Sequence, residues 1–74
     1  MLRVFPGAQK VQPKTQRPGG GYRHRWRDSN GNIYEWGYKD GTAEKNNARG
    51  LPVGEFDAQN GSQLRPPNGR RIEP

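Results

Sequence analysis

The sequence predicts an all-β domain, a small, twisted antiparallel meander of four or five strands behind a disordered basic N-terminal tail. Three observations lead there. Polar and apolar residues alternate with period two from Tyr22 to Arg27 and again from Ile33 to Tyr38. The run Asp28-Ser29-Asn30-Gly31-Asn32 between them is turn chemistry, with Asn30-Gly31 suited to positive φ. No helix start or stop signal competes with this pattern.

Residues 1–21 read as a flexible basic tail or linker. They hold Pro6, Pro13, Pro18 and the triplet Gly19 to Gly21, with almost no periodicity. Order is expected from Tyr22, so residues 22–74 form the folded domain. In Tyr22-Arg23-His24-Arg25-Trp26-Arg27 the arginines share one strand face. Tyr34, Trp36 and Tyr38 share a face of the second strand, and the two strands form a hairpin. Lys39-Asp40-Gly41 is a further turn, after which Thr42 to Ala48 returns as a third strand of poor β-propensity. Arg49-Gly50 turns again, and Leu51, Val53 and Phe56 mark a fourth strand. A short fifth lies around Gln63 to Arg65. The proline-rich segment that follows cannot be a central strand.

Composition narrows the function classes. At 74 residues there is room for one domain, and only 27% of them are hydrophobic. From Tyr22 onward there are eleven large apolar or aromatic side chains, a thin core. With no cysteine and one histidine, neither a disulfide framework, a thiolate zinc site nor a structural metal site is expected. No stretch approaches the roughly 20 apolar residues that span a bilayer. The opening MLRVFPGAQK lacks the apolar run of a signal peptide, so a soluble protein is expected.

The formal net charge is +6. Residues 1–21 contribute +4 through Arg3, Lys10, Lys14 and Arg17, with no acid. Six of the seven acids lie between Asp28 and Asp57, flanked by Arg23, Arg25 and Arg27 on one side and Arg65, Arg70 and Arg71 on the other. A basic rim around an acidic middle suits an anionic polymer held at the edges while carboxylates work inside. The competing reading is a plain basic surface with no ligand.

Three constellations bear on chemistry. Arginines at alternate strand positions stand about 7 Å apart, near the spacing of successive phosphates. Arg23, Arg25 and Arg27 are therefore expected to grip RNA phosphates, with Trp26 stacking on a base. The alternative is cross-strand pairing, with Glu35 facing one of these arginines. Second, Asp40 and Glu44 form a carboxylate pair. Cleaving RNA without a metal needs a base for the 2′-hydroxyl, a cation for the phosphorane charge and an acid for the leaving oxygen. Third, His24 is the only side chain that titrates near neutrality unperturbed, though histidines among aromatics more often stack or hydrogen-bond. There is no Gly-rich phosphate loop, nucleophile elbow or metal-ligand spacing.

Taken in order, PKT, GGGYRHRW, GNIYEW, DG, VGEFDAQNGSQL and the final basic RR, from about Pro13 to Arg71, resemble the cytotoxic nuclease domain of the ribosome-inactivating colicins, cloacin and related pyocins. The resemblance implies a highly twisted antiparallel sheet without metal, cofactor or disulfide. It also implies a nuclease that cuts small-subunit ribosomal RNA by 2′-hydroxyl attack and an acidic immunity protein that blocks it. Its place of action would be the bacterial cytoplasm, reached as part of a larger toxin. Family members carry Asp, His, Glu and Tyr where this chain has Gly37, Asp40, Glu44 and Asn46. A late family arginine falls on Arg71 or Arg70. On this resemblance Glu44 is the base and Arg71 the phosphate stabiliser, with Asp40 at the family's histidine position; His24, from the neighbouring strand, is the candidate imidazole of a rearranged site. Arg23, Arg25, Arg27, Lys39, Lys45, Arg70 and Trp26 would hold RNA. The alternative is a relative that has lost catalysis and binds ribosome, RNA or protein.

Overall fold

A computed structural model describes residues 5, 7–17, 19–37, 41–67 and 70–74. Tyr38, Lys39 and Asp40 lie outside the described residues. The fold is all-β: β1 (Gln9–Val11), β2 (Arg25–Arg27), β3 (Ile33–Gly37), β4 (Thr42–Asn46), β5 (Pro52–Asp57) and β6 (Gln63–Arg65). They form one antiparallel sheet in the order β1-β2-β3-β4-β5-β6, a meander.

The turn chemistry explains why neighbouring strands pair. Asp28 and Asn47 open equivalent three-residue loops. Each backbone N–H donates to the carbonyl four residues on, Asn32 and Leu51 respectively. Gly31 and Gly50 then take φ of 85° and 82°. A tight turn followed by a left-handed residue is a common hairpin closure, and glycine adopts it without steric cost. The side chains complete each loop: Asp28 Oδ1 accepts from the N–H groups of Asn30 and Asn32, and Asn47 Oδ1 from those of Arg49 and Leu51. Asp57 treats Gln59 and Asn60 likewise before β6.

Six strands form rather than four or five, because Gln9, Lys10 and Val11 pair with Arg27, Trp26 and Arg25. Residues 9–11 were expected in the flexible lead, yet they form an edge strand held by backbone hydrogen bonds. Phe5 docks near them, its ring centroid 4.5 Å from Tyr34 and 6.1 Å from Phe56. Beyond β1 the chain makes a Gln16–Tyr22 bridge before entering β2.

Strand alternation gives the sheet two unlike faces. Trp26, Tyr34 and Ala43, with Trp36 and Phe5 packed against them, build the aromatic face. The opposite face is polar, and its central side chains are nonetheless buried.

Asp28 couples turn and core, because Tyr34 Oη donates to its Oδ2 at 2.8 Å. Burial pushes the Asp28 carboxyl up, but donors from Tyr34, Asn32 and Asn30 outweigh it and hold it below its ordinary 3.8. Burial, then the Asp28 hydrogen bond and charge, push the Tyr34 phenol well above 10.0. The lowered carboxyl contributes stability that is present above pH 3.8 and lost as pH falls through its folded value. The raised phenol contributes stability present below pH 10.0 and lost above it. Asp28→Ala is expected to cost about 1–3 kcal/mol by leaving several donors unpaired. Its unfolding free energy should also fall less than the parent's on acidification below pH 4, roughly the ordinary carboxylate value, as read from urea titrations.

Candidate active site on the polar face

The strand registers place five ionisable residues in one row across the sheet. Arg25 pairs with Glu35, Glu35 with Glu44, Glu44 with Glu55, and Glu55 with Arg65. Side chains of such partners share a face about 5 Å apart. Three adjacent carboxylates are tolerated because arginines reach each of them. Arg25 Nη2 donates to Glu35 Oε2 at 2.7 Å and Arg23 Nη1 to Glu44 Oε2 at 3.0 Å, while Arg65 pairs with Glu55 Oε1. The Thr42 hydroxyl donates to Glu55 Oε2 at 3.1 Å. Arg23 Nε and Glu35 Oε1 are buried without a hydrogen-bond partner among the described residues.

Accessibility divides the row. Arg25 and Glu35 are each 1% exposed. The Glu44 side chain keeps 28% of its surface, enough for a ligand to touch. It lines an open cleft with Glu55, Arg65, Pro67, Arg70 and Ile72. A reachable carboxylate beside guanidinium groups is the combination that proton abstraction next to a phosphate requires.

The expected site residues separate accordingly. Glu44, Arg23 and Arg70 come together at or beside the cleft. Arg71 lies exposed on the C-terminal segment and does not line the cleft; Arg70 does. Arg27 is exposed on the sheet. Arg25 was expected to hold RNA, but its guanidinium is buried among Glu35, Thr15 and the Glu73 carbonyl, so no phosphate reaches it. Trp26 was expected to stack on a base and instead sits in the aromatic core, 8% exposed. His24 sits beside it at 6.2 Å between ring centroids, on the face opposite Glu44. That position does not bring its imidazole to the carboxylate row. Lys45 also points to the aromatic face, its Nζ 5.7 Å from the Tyr34 and Phe56 rings. Lys39 and Asp40 lie outside the described residues.

Glu55 was not singled out from the sequence, and Arg65 only as part of the basic rim, yet both line the cleft. Hairpin counting could have found them only with both bulges included, since pairing shifts between Lys45 and Asn46 and again between Glu55 and Phe56.

Gly37 occupies a position with no room to spare. A Cβ there would stand 2.7 Å from Thr42 Oγ1 and 3.1 Å from the Thr42 carbonyl oxygen. Gly37→Asp is therefore expected to destabilise by about 1–3 kcal/mol through overpacking. Adding Thr42→Ala should recover part of the loss, as a thermal melt of the two variants would read.

Residues 1–73 match the family model described as Cytotoxic. The chain is 42% identical over 62 residues to colicin E3 of Escherichia coli, a match covering 80% of this chain and 11% of that protein. The chain thus spans about a tenth of the length of this relative. A six-stranded meander with Glu44 in a cleft on its polar face, matched almost end to end by that model, belongs to the Cytotoxic family.

Proposed function

We propose that the chain is an endoribonuclease toxin domain that cleaves small-subunit ribosomal RNA without a metal. The observation that carries this reading is Glu44, a reachable carboxylate in an arginine-lined cleft of a Cytotoxic-family fold. Glu44 takes the proton of an RNA 2′-hydroxyl, and the freed oxygen attacks the adjacent phosphorus. Arg23 and Arg70 stabilise the charge that builds on the phosphorane. The 5′-oxygen leaves and takes up a proton from solvent water, giving a 2′,3′-cyclic phosphate and a 5′-hydroxyl end. Arg27 and Arg71, both exposed, extend the phosphate contacts. The target is the ribosome in the bacterial cytoplasm, reached as part of a larger toxin. An acidic immunity protein blocks the basic domain in the producing cell.

One observation favours a second reading, a relative that has lost catalysis and kept binding. The only histidine of the chain lies on the aromatic face, away from Glu44. Induced expression in a bacterial host separates the two. The nuclease reading expects growth to stop with loss of intact small-subunit RNA, and growth to resume with Glu44→Ala. Unimpaired growth at high expression, with the chain sedimenting on ribosomes, supports the binding module instead.

A further inference from the structure

The C-terminal segment 70–74 lies across the polar face, and several contacts from different parts of the chain fix it there. The Ile72 N–H donates to the Gly50 carbonyl at 2.9 Å. Lys14 Nζ donates to the Pro74 carbonyl at 2.8 Å. Arg25 Nη1 donates to the Glu73 carbonyl at 2.7 Å. Gly50 leaves no space beneath the segment, since a Cβ there would overlap the Ile72 carbonyl oxygen.

Arg25 is the hub of this arrangement. Its guanidinium reaches the segment before β2 through Thr15, β3 through Glu35, and the C-terminus through Glu73. Stability alone does not account for a buried ion pair, because desolvation largely cancels the attraction between its charges. A planar fork with five donors can instead lock three segments in one mutual geometry. The segment it locks carries Arg70 and Ile72, which form a wall of the cleft that contains Glu44.

We infer that Arg25 is a positioning residue: by gripping the Glu73 carbonyl it holds the C-terminal segment so that Arg70 stands at the cleft beside Glu44. Arg25 touches no RNA and acts through Arg70. The catalytic half of this inference rests on the nuclease reading; the structural half does not. Release of the segment therefore weakens transition-state binding through the Arg70 contact.

The test uses the full chain and two variants that loosen the segment from opposite sides. Arg25→Met/Glu35→Leu removes both buried charges together and keeps the sheet; Gly50→Ala pushes on Ile72 and also strains the left-handed loop position at φ 82°. Amide hydrogen exchange by NMR should show the Ile72 N–H protected in the parent and exchanging at least about tenfold faster in both variants, with β3 and β4 protection retained. Unchanged Ile72 protection in the charge-free variant overturns the inference whether or not the chain cuts RNA. On ribosomes, a cycle combining Arg25→Met/Glu35→Leu with Arg70→Gln should be non-additive in kcat/KM, the second change adding less than about twofold. Additive losses would mean that Arg25 does not act through Arg70. A parent with no cleavage activity overturns the nuclease reading and the catalytic half, while the exchange result still decides the structural half.

Discussion

Glu44→Gln is expected to lower the single-turnover rate of ribosomal RNA cleavage by about 10²- to 10⁴-fold, the usual loss when a positioned base is removed. The amide matches the carboxylate in shape and can still accept from Arg23 Nη1, so ribosome binding should change little. Folding should be nearly untouched as well, because this side chain is partly exposed and the amide keeps its shape. The split between rate and binding is what marks a group that handles the proton. Equal losses in both would mean that Glu44 only helps to seat the RNA.

Glu35→Leu is expected to produce the largest change in stability, about 3–5 kcal/mol, because it strands the Arg25 charge in the interior. For a domain of this size such a loss takes up much of a total near 5–15 kcal/mol. Arg25→Met/Glu35→Leu should recover most of it, since neither charge is then left without a partner. Denaturant unfolding of the parent, the single and the double variant reads both numbers. A double variant no better than the single one would contradict the pairing as the source of the loss.

Much of the sheet is readable from local chemistry. The Asp28–Asn32 loop carries its own instructions, a capping carboxylate followed by Asn-Gly, and it forms with Gly31 but not Asn30 at positive φ. Alternation correctly places Tyr34 and Trp36 on one face, and Glu35 opposite one of the three arginines. What local pattern cannot show is what covers a face. The polar stripe of Arg23, Arg25 and Arg27 looks like solvent-exposed RNA-binding surface. Arg25 is buried in part because Glu73, more than forty positions away, folds over it. Such closure depends on the course of a proline-rich segment, which has no periodicity to read. β1 is hidden for a related reason: Gln9-Lys10-Val11 has no apolar alternation, and an edge strand needs only backbone pairing. The partner of Glu44 is obscured by geometry. Counting back from the Asn46–Pro52 pair without a bulge would set Gly54 opposite Glu44, and the one-residue shift brings in Glu55. That the chain holds a single histidine is plain in the sequence, whereas the distance of His24 from the carboxylate row is read from the structure.

The most direct measurement adds the purified chain to intact bacterial ribosomes and resolves the small-subunit RNA on a denaturing gel. A nuclease built on Glu44 yields one discrete fragment with a 5′-hydroxyl end from the parent and none from Glu44→Gln over the same interval. Intact RNA with the parent at high concentration, or the same fragment from both proteins, would contradict it.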